Sequence, residues 1–163
     1  MTDQRVEKAT ASEESVIAMG IELSKKGWLV AVRTPLADKL SLYRFTAGDA
    51  GGLLELAQRT RVAAAKVLGT RIVVASCYEA GYDGFWLHRV LTAARIDNCV
   101  VDPASIHVDR RARRAKTDRI DAQALLRTLI AHRRGEGHVW SVVRPPTPAD
   151  EDARRPQDRK SVV

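Results

Sequence analysis

The segment SVIAMGIELS, residues 15–24, places Ile17, Met19, Ile21 and Leu23 at alternate positions with smaller residues between them. Alternation of this kind is the signature of a β-strand. The positions between are themselves mostly apolar or small, so both faces of the strand are suited to burial, as in the centre of a sheet. A central strand restricts the fold: it needs a neighbouring strand on each side and helices over both of its faces.

The rest of the chain supplies them. Lys25, Lys26 and Gly27 form a turn, Trp28 to Val32 reads as a second strand, and Leu40 to Phe45 reads as a third after a break at Pro35. The short links between these three predict antiparallel hairpins. Ala50, Gly51 and Gly52 end the meander, and Leu53 to Leu68 has helical spacing, with Gly69 as its cap. Arg71 to Ser76 is a buried strand, Tyr82 to Gly84 a loop, Phe85 to Ala94 an amphipathic helix, and Cys99 to Val101 a short strand. A helix is expected from about Asp118 to Ala131. Three antiparallel strands followed by alternating helices and parallel strands predict an α/β mixed sheet with helices on both faces, the ribonuclease-H-like order. That architecture serves several unrelated activities, so it does not settle function.

The 163 residues, 45% hydrophobic and 29% charged, suffice for one cored domain. Residues 1–14 are expected to be a disordered lead-in and residues 15–140 the domain. Residues 141–163 hold four of the six prolines and are expected to be a tail or linker, with at most one charged helical turn that Pro156 interrupts. No apolar run is long enough for a transmembrane helix, and the polar N-terminus is no secretory signal. Two cysteines, Cys77 and Cys99, make no disulfide framework, so a reducing cytoplasm is expected and no membrane partner.

Charge points to a polyanionic partner. The chain carries 27 Lys+Arg against 20 Asp+Glu, a net +7, and its pI is near 9.8. Between Val108 and Arg134 nine basic residues face three acids, so this segment carries almost the whole excess. Arg110, Arg111, Arg113, Arg114, Lys116 and Arg119 are its densest part and the expected nucleic-acid contacts.

Four acids stand out as a candidate centre. Glu22 lies within the first strand, where an unpaired carboxylate is costly to bury; as a strand-end residue facing solvent it would need no such account. Glu79 comes after the RIVVAS strand, at the carboxyl end where ligands gather in open α/β sheets, although loop glutamates are common. Asp118 and Asp121 are three apart and share one helix face. Taken alone, they read as acids complementing a helix dipole, with Thr117 or Asp118 as N-cap. In a ribonuclease-H-like sheet, the first strand, the fourth strand and the last helix meet at one edge, which brings all four acids to one cleft. Clustered carboxylates need a cation, and an all-oxygen set suits Mg²⁺ or Mn²⁺. Paired ions can activate a nucleophile and stabilise a leaving oxygen in phosphodiester chemistry.

The stretches MGIELSKKGWLVAV, CYEAGYDGFWLHRVL and VVDPASIHVDRRARRAKTDRIDAQALL resemble the N-terminal domain of the DEDD transposases of insertion sequences. This is the IS-one-ten family, which includes the Piv and MooV DNA invertases and whose catalytic domain is similar to the RuvC resolvase. The resemblance runs from about Ser15 to Trp140. Its most specific part is Lys116-Thr117-Asp118-Arg119-Ile120-Asp121-Ala122, which is similar to the family's K-T-D-x-x-D-A signature. The Glu and Gly around Glu79 and the spacing of Val100 to Pro103 support it. The resemblance implies that Glu22, Glu79, Asp118 and Asp121 are the catalytic and metal-binding acids. It also implies DNA recombination guided by a structured RNA of the element, and a homo-oligomer at full length. Two departures stand out. Glu22 occupies a position usually held by Asp, and octahedral Mg²⁺ tolerates a displaced oxygen poorly. The family's serine-bearing C-terminal domain does not come after it, so a truncated chain is expected not to complete the reaction.

An alternative keeps the fold and the basic segment without the chemistry, as a non-catalytic nucleic-acid-binding remnant. A sugar-kinase-like or actin-like phosphate binder would need Gly-rich phosphate turns and a second lobe, and the sequence has neither. His88, His107, His132 and His138 show no zinc spacing with the cysteines, and Trp28, Trp86 and Trp140 are expected to pack rather than stack on bases.

Overall fold

A computed structural model describes residues 14–81, 84–106, 118–136 and 139–158; for Asp118, Ile120 and residues 154–158 it describes the backbone only. Six strands form one sheet. They are β1 (Glu14–Ser24), β2 (Gly27–Arg33), β3 (Ser41–Phe45), β4 (Arg71–Glu79), β5 (Asp97–Val101) and β6 (Val142–Val143), in the order β3-β2-β1-β4-β5-β6. β2 lies antiparallel to β1 and to β3, whereas β1, β4 and β5 run parallel, and β6 closes the edge antiparallel to β5. This is the expected α/β ribonuclease-H-like sheet, and β1 is at its centre.

Helices α1 (Ala50–Leu68) and α2 (Trp86–Ala93) cover one face, and α3 (Asp118–Arg133) covers the other. Alternation along β1 sorts the two cores. Ile17, Met19 and Ile21 pack toward α1 and α2 with Val74, Tyr78, Leu53 and Leu91. Ala18 joins Ala75, Cys77, Leu125, Leu126 and Trp140 on the α3 side. Each fully buried leucine here contributes about 1.5–3 kcal/mol of transfer free energy.

Several boundaries differ from the sequence expectation. α1 starts at Ala50, before the glycines, because the Asp49 carboxylate accepts the Gly52 N–H at 2.9 Å and caps the helix. Gly69 ends it in the left-handed region at φ 62°, as expected. β4 continues three residues past Ser76, so Glu79 is a strand residue and not a loop residue; Cys77 and Tyr78 are buried and the ladder to β5 holds to Glu79↔Val101.

The stretch expected to be a tail starts on the sheet. Val142 and Val143 pair with β5, and α4 (Pro148–Asp158) comes next. Thr147 and Asp150 exchange capping bonds at its start, and Glu151 pairs with Arg89 of α2 at 2.5 Å. Pro156 does not break α4, since a proline removes only one ladder bond near a helix end. No helix among the described residues is long and apolar enough to cross a membrane.

Candidate metal and nucleic-acid site

β1 and β4 are parallel neighbours in the register Ile21↔Tyr78. One residue further along, Glu22 lies beside Glu79, on strands ~4.8 Å apart. The two side chains share a face. Gly20 faces α3 and Cys77 packs into the α3-side core, so Glu22 and Glu79, each two residues on, point to that side too. Both are half-buried, and both line one cleft of about 150 Å³ at the carboxyl ends of the strands. Ser24, Lys25, Gly81 and Gly84 complete its rim.

The position of α3 depends on a missing side chain. A Cβ on Gly20 would lie 2.6 Å from the Ala122 carbonyl oxygen and 2.7 Å from the Leu126 nitrogen, so only glycine lets the helix backbone seat against β1. Further along, Ile130 lies by Val16 and Ala18, and Arg133 pairs with Asp97 at the start of β5. α3 therefore runs antiparallel to β1. Its first turn, with Asp118 and Asp121, lies toward the end of the sheet that carries Glu22 and Glu79. Asp121 is half-buried and Arg119 is exposed. The side chain of Asp118 lies outside the described residues, as do Arg110, Arg111, Arg113, Arg114 and Lys116.

The donor set is all-oxygen, which suits a hard divalent cation. Among the described residues, no three His, Cys, Asp or Glu side chains are grouped to hold a metal ion. Electrostatics at this edge are registered by Cys77. Burial raises its pKa well above the usual thiol value, and the negative charge of Glu79 adds to the effect after that of Cys99. Cys99 is raised as well, first by its own burial.

A second polar cluster lies on the opposite face. Ser76 donates to the Asn98 side-chain oxygen at 2.7 Å, and the Asn98 amide donates to His88 Nδ1 at 2.9 Å. Ser76 and Asn98 are the buried polar residues among those described. Burial lowers the His88 pKa and neighbouring Arg89 adds to it, so the imidazole is held neutral. Tyr78 adds a link, accepting the His88 N–H at 3.1 Å and reaching the Gly84 carbonyl at 3.5 Å. The sequence signal for it is Asn98 at a core-facing position of β5, where only a satisfied amide is tolerated. The tryptophans pack as expected: Trp28 and Trp140 are buried, and Trp86 lies against Trp28 with ring centres 5.9 Å apart.

No family model matches the chain. A solved RuvC of T. thermophilus, in complex with a Holliday junction substrate, overlaps it with a TM-score of 0.37 at 11% identity, covering 78% of this chain and 99% of that one. Strand order and direction, not that overlap, carry the ribonuclease-H-like fold. The chain is 41% identical over 169 residues to a protein of Sinorhizobium fredii (strain NBRC 101917 / NGR234) described as "Putative transposase y4rJ". That similarity takes in 99% of this chain, and the chain spans 42% of the relative's length.

Proposed function

We propose that this chain is the DNA-handling, divalent-metal-dependent domain of a DEDD transposase. The observation that carries the reading is the pairing of Glu22 and Glu79 on one face and in one cleft, at the end of the sheet toward which the first turn of α3 points. The relative described as a transposase supports it along nearly the whole chain. In this reading Glu22, Glu79, Asp118 and Asp121 hold Mg²⁺ or Mn²⁺. The bound ion supplies charge stabilisation and a more acidic water for phosphodiester chemistry. Glu22 brings one more methylene than aspartate, which favours the more tolerant Mn²⁺. Lys25 at the cleft rim and Arg119 at the start of α3 orient the phosphate backbone, joined by the arginines and lysine of residues 110–116. The element's structured RNA and a second copy of the protein are further partners in this reading.

The test is nicking of supercoiled DNA by the chain in Mn²⁺, compared with Glu79→Gln. Nicking by the wild type that is lost in the variant supports the reading. A second reading, a nucleic-acid-binding module without chemistry, rests on the basic excess before Asp118 and on Glu22 standing where the family usually has Asp. A wild type that binds DNA equally with and without Mn²⁺, and takes up no Mn²⁺ in a calorimetric titration, would select it.

A further inference from the structure

The end of the sheet opposite the carboxylate cleft is basic. Two adjoining concavities of about 420 and 500 Å³ open at the amino-terminal ends of β1, β4 and β5, sharing Glu14 and Arg133. Arg33 and Arg134 line the first, and Arg61, Arg71 and Arg95 the second. Six arginines thus face two acids. Glu14 is met by Arg71 at 3.7 Å and Asp97 by Arg133 at 2.5 Å. Arg33, Arg61, Arg95 and Arg134 have no acid within ion-pair distance among the described residues.

Two further features lie at this edge. The Nε–H of Arg61 is buried and donates to nothing among the described residues, while its Nη1 donates to Gln58 Oε1 at 3.5 Å and its Nη2 to the Arg95 carbonyl at 3.4 Å. A buried guanidinium donor is rarely left unsatisfied without a reason. Arg95 is strained: at φ 61° it is the one described non-glycine residue with positive φ. It sits just after α2, where Arg95 N–H bonds the Thr92 carbonyl and Ile96 N–H bonds the Leu91 carbonyl, both at 3.0 Å. That closing motif favours glycine at the position Arg95 occupies. Backbone strain is thus accepted to present a cation at this concavity, the pattern expected of a binding residue.

We propose that this amino-terminal edge is a second nucleic-acid contact surface, which takes the phosphate backbone of duplex DNA. It lies ~26 Å from the carboxylate cleft, since Glu14 and Glu22 are eight residue steps apart along β1, so both ends can be engaged at once. No described residue lining either concavity is aromatic, which removes the stacking platform a single strand requires and leaves backbone contacts. The proposal rests on the reading of the chain as a DNA-handling domain.

The test is anisotropy of a labelled DNA duplex of about two helical turns, titrated between about 50 and 200 mM salt. The full chain is compared with Arg95→Gly and with a quadruple variant, Arg33→Ala/Arg71→Ala/Arg95→Gly/Arg134→Ala. Arg95→Gly relieves the backbone, so it weakens duplex binding while leaving the melting temperature equal or higher. The quadruple variant loses at least roughly tenfold in affinity and its log–log salt slope flattens by ~3–4, because each phosphate contact carries about 0.9 of slope. Calorimetric Mn²⁺ binding is unchanged in both variants. Unaltered duplex affinity and slope in the quadruple variant would overturn the surface and leave the carboxylate reading standing, as would a wild type that binds Mn²⁺ but no duplex. A loss confined to duplex RNA, measured in parallel, would also overturn it. Failure of Mn²⁺ binding in the wild type counts against the carboxylate reading instead.

Discussion

Gly20 ties the fold to the candidate site more closely than any other residue. Its hydrogen is the only substituent that fits between β1 and the backbone of α3. Gly20→Ala is expected to cost about 1–3 kcal/mol through overpacking, read as a lower midpoint in urea. By pushing α3 outward it also weakens divalent-ion binding, although residue 20 has no ligand atom. A variant with unchanged stability would show that the helix seats elsewhere. Sequence alone presents Gly20 as one more small residue in a strand, because close approach of a distant helix leaves no local mark.

His88 gives a second test at this scale. Its Nδ1 accepts from Asn98, and burial lowers its pKa below the usual 6.5. Below about pH 6.5 the unfolded chain binds a proton there that the native chain does not. Stability is therefore fully present above that pH and falls as the pH drops toward the native value, where the loss levels off. His88→Gln retains an acceptor without the titration, so its stability profile is flatter across that window. An equal slope in wild type and variant would remove His88 as the cause.

At the scale of elements, alternation and punctuation locate most of the sheet. β1 is legible because Ile17, Met19 and Ile21 recur at alternate positions, and the end of α1 because Gly69 takes the left-handed conformation. Sequence reading fails where local chemistry is overruled by a cap or by tertiary pairing. The glycines at 51 and 52 suggest a loop, yet Asp49 caps a helix that includes them. Asp49→Ala is expected to cost about 1 kcal/mol and to fray the first turn, measurable as faster amide exchange at Gly52. Unchanged exchange there would show that the cap contributes nothing. The proline-rich segment suggests a tail, yet Val142 and Val143 complete a sheet edge and Glu151 anchors α4 to Arg89. Neither contact is visible locally, since both partners lie more than forty residues away.

Across the whole molecule, charge is divided along the strands. The carboxyl ends of β1 and β4 carry Glu22 and Glu79 with the start of α3, and the opposite end of the sheet gathers Arg33, Arg71 and Arg95 with the end of α3. The excess of positive charge is plain in the composition, as is its density before Asp118. Its second concentration is not, because Arg33, Arg71 and Arg95 are scattered in sequence and only the tertiary fold gathers them. The four acids are equally scattered. Strand order predicts their convergence, and the register of β1 with β4 places Glu22 beside Glu79.

Binding of a divalent cation by carboxylates at the Glu22–Glu79 end of the sheet is tested by calorimetric titration of Mn²⁺ into the wild-type chain and into Asp121→Asn. The expected result is a saturable heat in the wild type that is lost in the variant, with little change in melting temperature between the two metal-free proteins. Equal binding in both, or a metal-free variant that melts far lower, would contradict it and leave Asp121 as a structural acid at the start of a helix.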